Sequence, residues 1–155
     1  VPRLPDATIE HRLDTWPIAR LATLAPGGAP HLVPIVFARV AGALWSPIDG
    51  KPKSTAAVAR LRNIENDPRA GVLLDHYDAD WTQLWWIRLD ATAAIVGGHA
   101  EAELALRNKY SQYRDTPLFR QSPTLLRLTP IGVVSWSATE VQAVGDEAAE
   151  EERAT

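Results

Sequence analysis

Apolar positions along this chain follow two periods in turn. Over residues 6–15, DATIEHRLDT, Ile9 and Leu13 stand four apart, the spacing of a short amphipathic helix, with Asp6 placed to cap it. After Trp16-Pro17 the period shortens. IARLATLA and HLVPIVFARV are β-rich runs, and the PGGAP between them, two glycines flanked by prolines, suits a hairpin turn. A second turn at Ala41-Gly42 leads into ALWSPID, so this region reads as a three-strand meander. GKPKS interrupts the sheet. TAAVARLRNIEN then returns to helical spacing, with Val58, Leu61 and Ile64 on one side and a stop before Asp67-Pro68.

Strand character resumes in AGVLLDHYD and LWWIRLDATAAIVG, separated by a polar loop around Asp80-Trp81. HAEAELALRNKYSQYR reads as a third helix with Leu104, Leu106 and Tyr110 among its apolar positions, and TLLRLTPIGVVSWSA as one or two closing strands. About six short strands with helices between them, lacking strict strand–helix alternation, predict a mainly β, α+β fold: a small antiparallel barrel with helices covering its openings. A doubly wound parallel sheet is disfavoured, and with it a dinucleotide site.

The length of 155 residues fits one domain, taken here as residues 1–144. Residues 145–155, GDEAAEEERAT, carry five acids and one arginine, a charge of −4, and read as a solvated, disordered tail. The whole chain carries −3, so the remainder is close to +1, which argues against a protein built for broad nucleic-acid binding. Cysteine is absent, which removes thiolate nucleophiles, iron–sulfur clusters and cysteine-ligated zinc. No run approaches the ~18 apolar residues of a membrane span. The expectation is a soluble, cytoplasmic protein. Phosphate-loop, dinucleotide, serine-hydrolase and zinc-protease motifs are absent. The four histidines, His11, His31, His76 and His99, share no spacing that aims two of them at one metal.

Three features carry candidate chemistry. In Gly50-Lys51-Pro52-Lys53-Ser54-Thr55, two ammonium groups lead into a helix start whose first N–H groups lack intrahelical partners. That is either a solvated turn or a phosphate cradle of Lys51, Lys53, the Ser54 hydroxyl and the helix N-terminus. In Trp85-Trp86-Ile87-Arg88-Leu89-Asp90, alternation groups Trp85 with the apolar residues as core. It groups Trp86 with Arg88 and Asp90, at a subunit interface or beside a ligand. Trp45 and Trp136 are assigned to packing. Pro34, inside HLVPIVF, cannot donate to a ladder and marks an edge, a bulge or a ligand-facing spot.

Several segments taken together resemble one family. Arg20-Leu21-Ala22-Thr23-Leu24, then Gly28-x-Pro30-His31-x-Val33-Pro34, Asp49-Gly50-Lys51-x-Lys53, Leu61-Arg62-Asn63-Ile64-x-x-Asp67-Pro68-Arg69 and Leu84-Trp85-Trp86-x-Arg88 are similar to the pyridoxamine-phosphate-oxidase-like split β-barrel flavoproteins. Within them the likeness is to the branch of deazaflavin-dependent oxidoreductases, over residues 16–137. The resemblance implies a six-stranded antiparallel split barrel of the FMN-binding type. It also implies a homodimer with two cofactor sites at the subunit interface, holding coenzyme F420, with FMN the alternative. Lys51, Lys53 and Ser54 would then bind phosphate. The backbone of Pro34, Ile35 and Val36 and of the strand Ser46, Pro47, Ile48 and Asp49 would lie along the ring system, with Trp86 and Arg88 near the partner's site. The C-terminal arginine and histidine pair that binds substrate in pyridoxamine-phosphate oxidase itself is not identifiable, which disfavours that substrate.

The expected reaction is hydride transfer from reduced deazaflavin to a small organic acceptor with an activated double bond. No catalytic residue is assigned; Tyr77, His76 or water could protonate the product. An FMN-dependent oxidase or reductase of the same fold, and a non-catalytic cofactor or tetrapyrrole carrier, are the competing readings.

Overall fold

Seven strands form a single antiparallel sheet in the order β2-β1-β5-β6-β7-β4-β3. They are β1 (Ala19–Leu24), β2 (Pro30–Ile35), β3 (Ala38–Val40), β4 (Ala43–Pro47), β5 (Arg69–His76), β6 (Trp85–Val96) and β7 (Leu125–Ser137). Three helices accompany them: α1 (Asp6–Thr15), α2 (Thr55–Asn66) and α3 (Ala100–Lys109). The computed structural model describes residues 3–48 and 55–139, the side chains of residues 55 and 56 excepted. No helix among the described residues is long and apolar enough to cross a membrane.

The connectivity forces the sheet to curl. β2 and β3 are its two outermost strands, yet only Val36 and Phe37 separate them in sequence. Laid flat, seven strands would hold those edges about 29 Å apart at ~4.8 Å per spacing. The link from Ile35 to Ala38 spans at most about 11 Å. The sheet therefore wraps into a barrel with an unpaired seam between β2 and β3, which is a split barrel. This corrects the sequence reading twice. The strands number seven rather than six, and HLVPIVFARV is two strands at opposite edges rather than the middle of a meander.

Side chains pinned at the seam hold the link. The Tyr110 hydroxyl accepts from the Phe37 N–H at 3.0 Å and lies within donating distance of the Pro17 and Phe37 carbonyls, at 2.9 and 3.1 Å. The Lys109 ammonium donates to the Phe37 carbonyl at 2.9 Å and sits 3.6 Å from the centroid of the Phe37 ring. Phe37 itself is fully buried.

Inside the barrel one cluster gathers Leu21, Phe37, Leu44, Val72, Leu74, Trp85, Ile87, Leu89, Leu126 and Leu128, with Ile9 and Leu13 from α1 and Ala57 and Ile64 from α2. A second cluster lies between α3 and the other face of the β3-β4-β7 arm, where Ala102, Leu106 and Tyr110 meet Val40, Trp45 and Leu125. Both faces of β4 are thereby covered, and all five of its residues are buried. α3 starts at a histidine cap: His99 Nδ1 accepts from the Ala102 N–H at 3.1 Å while its ring stacks on Trp45 at 4.3 Å.

Local details differ from the sequence reading. α1 is preceded by Pro5 at the cap position, and Asp6 lies in the first turn, paired with Arg3 at 2.9 Å. Val58 and Leu104 face outward, 52% and 58% exposed, because the buried seams run through Ala57 and Ile64 on α2 and Ala102 and Leu106 on α3. The third helix stops at Lys109 rather than Arg114, and Tyr110 leaves it in extended conformation to reach the seam.

Burial lowers the Lys109 ammonium from its ordinary value of 10.5 to about 8. Burial also raises the Tyr110 phenol from 10.0 to about 12. Between pH 8 and 10.5 the unfolded chain holds the Lys109 proton more tightly than the folded one, so this group makes stability rise with pH. Above about pH 10 the folded chain keeps the Tyr110 proton that the unfolded chain loses, and stability falls again. Urea midpoints measured from pH 7.5 to 10 should climb in the parent protein and flatten in Lys109→Met. Parallel profiles would remove Lys109 from the seam's energetics.

Candidate functional site

Among the described residues, no helix lies over the outer face of the β2-β1-β5-β6-β7 arm. Directly opposed residues of antiparallel strands share a face, so the register fixes which side chains stand together. One row runs Pro34, Arg20, Leu73, Arg88, Val134, and the next runs Leu32, Ala22, Gly71, Asp90, Gly132. A third, shorter row is Asp75, Trp86, Trp136. The row through Asp90 includes the small residues Ala22, Gly71 and Gly132, which keep the sheet surface low beside the Arg88 row.

Two cavities occupy this face. One, of about 460 Å³, lies among Arg20, Leu32, Pro34, Gly71 and Arg88. The other, of about 420 Å³, lies among Asp75, His76, Tyr77, Trp86, Arg88 and Trp136. They share Leu73 and Arg88 and form one groove. Its surface is largely apolar, with Leu32 67% and Val134 43% exposed. Its charges are balanced: Arg20 pairs with Asp75 at 3.2 Å and Arg88 with Asp90 at 3.8 Å. An apolar trough with a few placed cations suits a planar, partly anionic ligand or a second protein surface better than a hydrated ion.

Of the residues expected from sequence, Pro34, Trp86 and Arg88 come together in this groove. Trp85 points inward, 5% exposed, and Trp86 outward, as the alternation requires. Ile35 is buried in the barrel interior and Val36 packs against the second cluster. Ser46, Pro47 and Ile48 are buried on and just after β4, away from the groove's lining. Asp49, Lys51, Lys53 and Ser54 lie outside the described residues. Trp136 is a correction: assigned to packing from the sequence, it stands opposite Trp86 and lines the groove. The cause is a bulge. The β6–β7 register slips between Asp90 and Ala91, opposite Gly132 and Pro130, which leaves Ile131 unmatched. Leu126 and Leu128 face the interior at even positions, but beyond Ile131 the buried positions are the odd Ser135 and Ser137.

The helix that follows the lysine-rich segment supplies a further cation. Arg60, on α2, has a buried Nε without a hydrogen-bond partner among the described residues. Burial lowers its pKa, and no carboxylate offsets that. A desolvated guanidinium in the helix that Lys51, Lys53 and Ser54 precede fits a phosphate-bearing group at that helix start. α2 is fastened to the sheet by a buried hydrogen bond, Asn63 Nδ2 donating to Thr23 Oγ1 at 3.2 Å. No group of three metal-ligating side chains occurs among the described residues.

Residues 6–144 match the sequence profile of the family described as pyridoxamine 5'-phosphate oxidase. No protein of curated function matches the chain. Among solved structures, a conserved hypothetical protein from Mycobacterium tuberculosis superposes with a TM-score of 0.68 at 20% identity, covering 92% of this chain and 94% of its own. HutZ, the heme storage protein from Vibrio cholerae, superposes with a TM-score of 0.67 at 21% identity, covering 87% and 96%. A structure described as an F420 reductase gives 0.59 at 18% identity, covering 84% and 96%. Each likeness is one of fold.

Removing the bond that fastens α2 should be costly. Asn63→Ala leaves the Thr23 hydroxyl buried and unpaired, an expected loss of about 1–3 kcal/mol in urea unfolding. Thr23→Val added to Asn63→Leu should recover part of it. A single-variant loss within error would show that the pair does not hold the helix.

Proposed function

The chain belongs to the pyridoxamine 5'-phosphate oxidase family, and we propose that it is an oxidoreductase holding coenzyme F420 where two copies of the chain meet, passing hydride to a small organic acceptor. The observation that carries this reading is the buried Arg60 Nε, without a hydrogen-bond partner among the described residues, on the helix that follows Lys51, Lys53 and Ser54 in sequence. Lys51, Lys53 and Arg60 with the helix start would make a local anion cradle in a body that is otherwise near neutral. The apolar outer groove supplies the second requirement. Exposed Leu32 and Val134 on the uncovered outer sheet face suit a second copy of the chain, and Trp86 and Arg88 would then reach the partner's site.

When bound, a deazaflavin supplies two-electron hydride transfer without the oxygen chemistry of a flavin. The chain's own task is to orient and to exclude water. Backbone at Pro34, Ile35 and Val36 and at Ser46, Pro47, Ile48 and Asp49 would lie along the ring system, and Lys51, Lys53, Ser54 and Arg60 would hold the phosphate. His76 and Tyr77, both lining the groove, present proton donors for the product, with water as the third source. FMN is the second reading, favoured by the same phosphate handle.

Tryptophan-quenching titrations with F420, FMN and hemin should show F420 binding most tightly. Lys51→Ala combined with Lys53→Ala should weaken it by about 3–6 kcal/mol, at ~1.5–3 per charge-assisted bond. Arg60→Met should act in the same direction. Unchanged dissociation constants in both variants would remove the cradle from the site, and tighter FMN binding would make FMN the cofactor. Leu32→Glu with Val134→Glu should convert a dimer to a folded monomer in light scattering; a parent protein that is already monomeric overturns the shared site.

A further inference from the structure

A separate cavity of about 290 Å³ borders the groove at His76 and Trp85. Arg12 of α1, Trp16 just after it, and Thr82 and Gln83 of the short 3-10 turn Trp81–Gln83 also line it, with the end of β7 closing one side. The Arg12 guanidinium carbon lies 4.0 Å from the centroid of the Trp85 indole and 6.0 Å from that of Trp16. Trp16 meets Trp85 edge to face at 4.6 Å and His76 at 5.7 Å. These rings fix the cation in place.

Stacking on an indole engages the face of a guanidinium and leaves its edge, with its fork of N–H donors, unspent. Nothing described takes up that edge. Arg3, Arg20, Arg39, Arg69 and Arg88 each pair with a carboxylate, whereas among the described residues Arg12 pairs with none. The Asp78 carboxylate lies 3.5 Å from His76 Nε2 and accepts from the Asp80 N–H at 2.8 Å. Burial holds Arg12 below the ordinary guanidinium pKa with no compensating acid. The Trp16 indole N–H is a buried donor without a partner among the described residues. Two donors on aromatic walls, with no carboxylate lining the cavity among the described residues, suit a planar anion carried on an apolar body.

We propose that this cavity binds a small aromatic carboxylic acid, with its carboxylate on the edge of Arg12 and its ring against Trp16. The site stands apart from the phosphate cradle at α2 and does not depend on the flavin reading.

Benzoate is the probe, on the full-length protein without added cofactor. Calorimetry at pH 7.5 should show saturable binding at one benzoate per chain, with neutral, nearly isosteric benzamide at least tenfold weaker. In Arg12→Gln, benzoate should fall to the level of benzamide while F420 or FMN affinity stays as in the parent. Should that variant lose its thermal transition, Arg12→Lys, which keeps the charge but not the fork, serves in its place with an intermediate loss expected. The indole ¹⁵N–¹H signal of Trp16, assigned through Trp16→Phe, should shift with benzoate and not with benzamide. Equal binding of benzoate and benzamide, benzoate binding indifferent to Arg12→Gln, or displacement by equimolar inorganic phosphate would each overturn the proposal.

Discussion

A link of two residues, Val36 and Phe37, joins the outermost strands of a seven-stranded sheet, and the rest of the architecture follows from closing that short circuit. Closure gives the sheet an inside, where apolar residues from β1, β5, β6 and β7 collect. It also brings the two edges together without pairing them. The seam's backbone groups therefore need other partners, and Tyr110 and Lys109 at the end of α3 provide them at Phe37. Burying an ammonium and a phenol to do so is costly, which is why both have displaced pKa values. The hydrogen bonds to backbone that would otherwise be orphaned offset that cost.

Closure also distributes the exposed surface. α3 must lie against the β3-β4-β7 arm to reach the seam, so it covers that arm's outer face, and no described helix covers the other arm. The groove is the uncovered complement of the clamp. The buried Arg60 Nε, without a partner among the described residues, and the exposed apolar residues along the groove are the two features that the proposed interfacial, phosphate-bearing cofactor would answer.

Much of this was legible along the chain. α2 was read over its observed span because Asp67-Pro68 stops it, and alternation alone separated inward Trp85 from outward Trp86. What escaped depended on contacts distant in sequence. Val36-Phe37 looks like the middle of one strand, since nothing local says that its two halves pair at opposite ends of a sheet. Trp136 shares the parity of Leu126 and Leu128, so period-two reasoning places it indoors; only pairing with β6 exposes the extra residue at Ile131 that turns it out. Arg12 carries no distinguishing signal in the sequence around it. Its significance comes from Trp85, more than seventy residues away in the chain, lying beneath it.

The bulge has an evolutionary corollary. Across most of the β6–β7 ribbon, gaining or losing a single residue would invert every later side chain between barrel and groove, a change no single compensating substitution could repair. At Ile131 the inversion has already taken place, and both halves of β7 are written for it. Relatives of different ribbon length should therefore have accumulated their insertions and deletions at this one point, with the tryptophan-bearing half of the strand inherited intact.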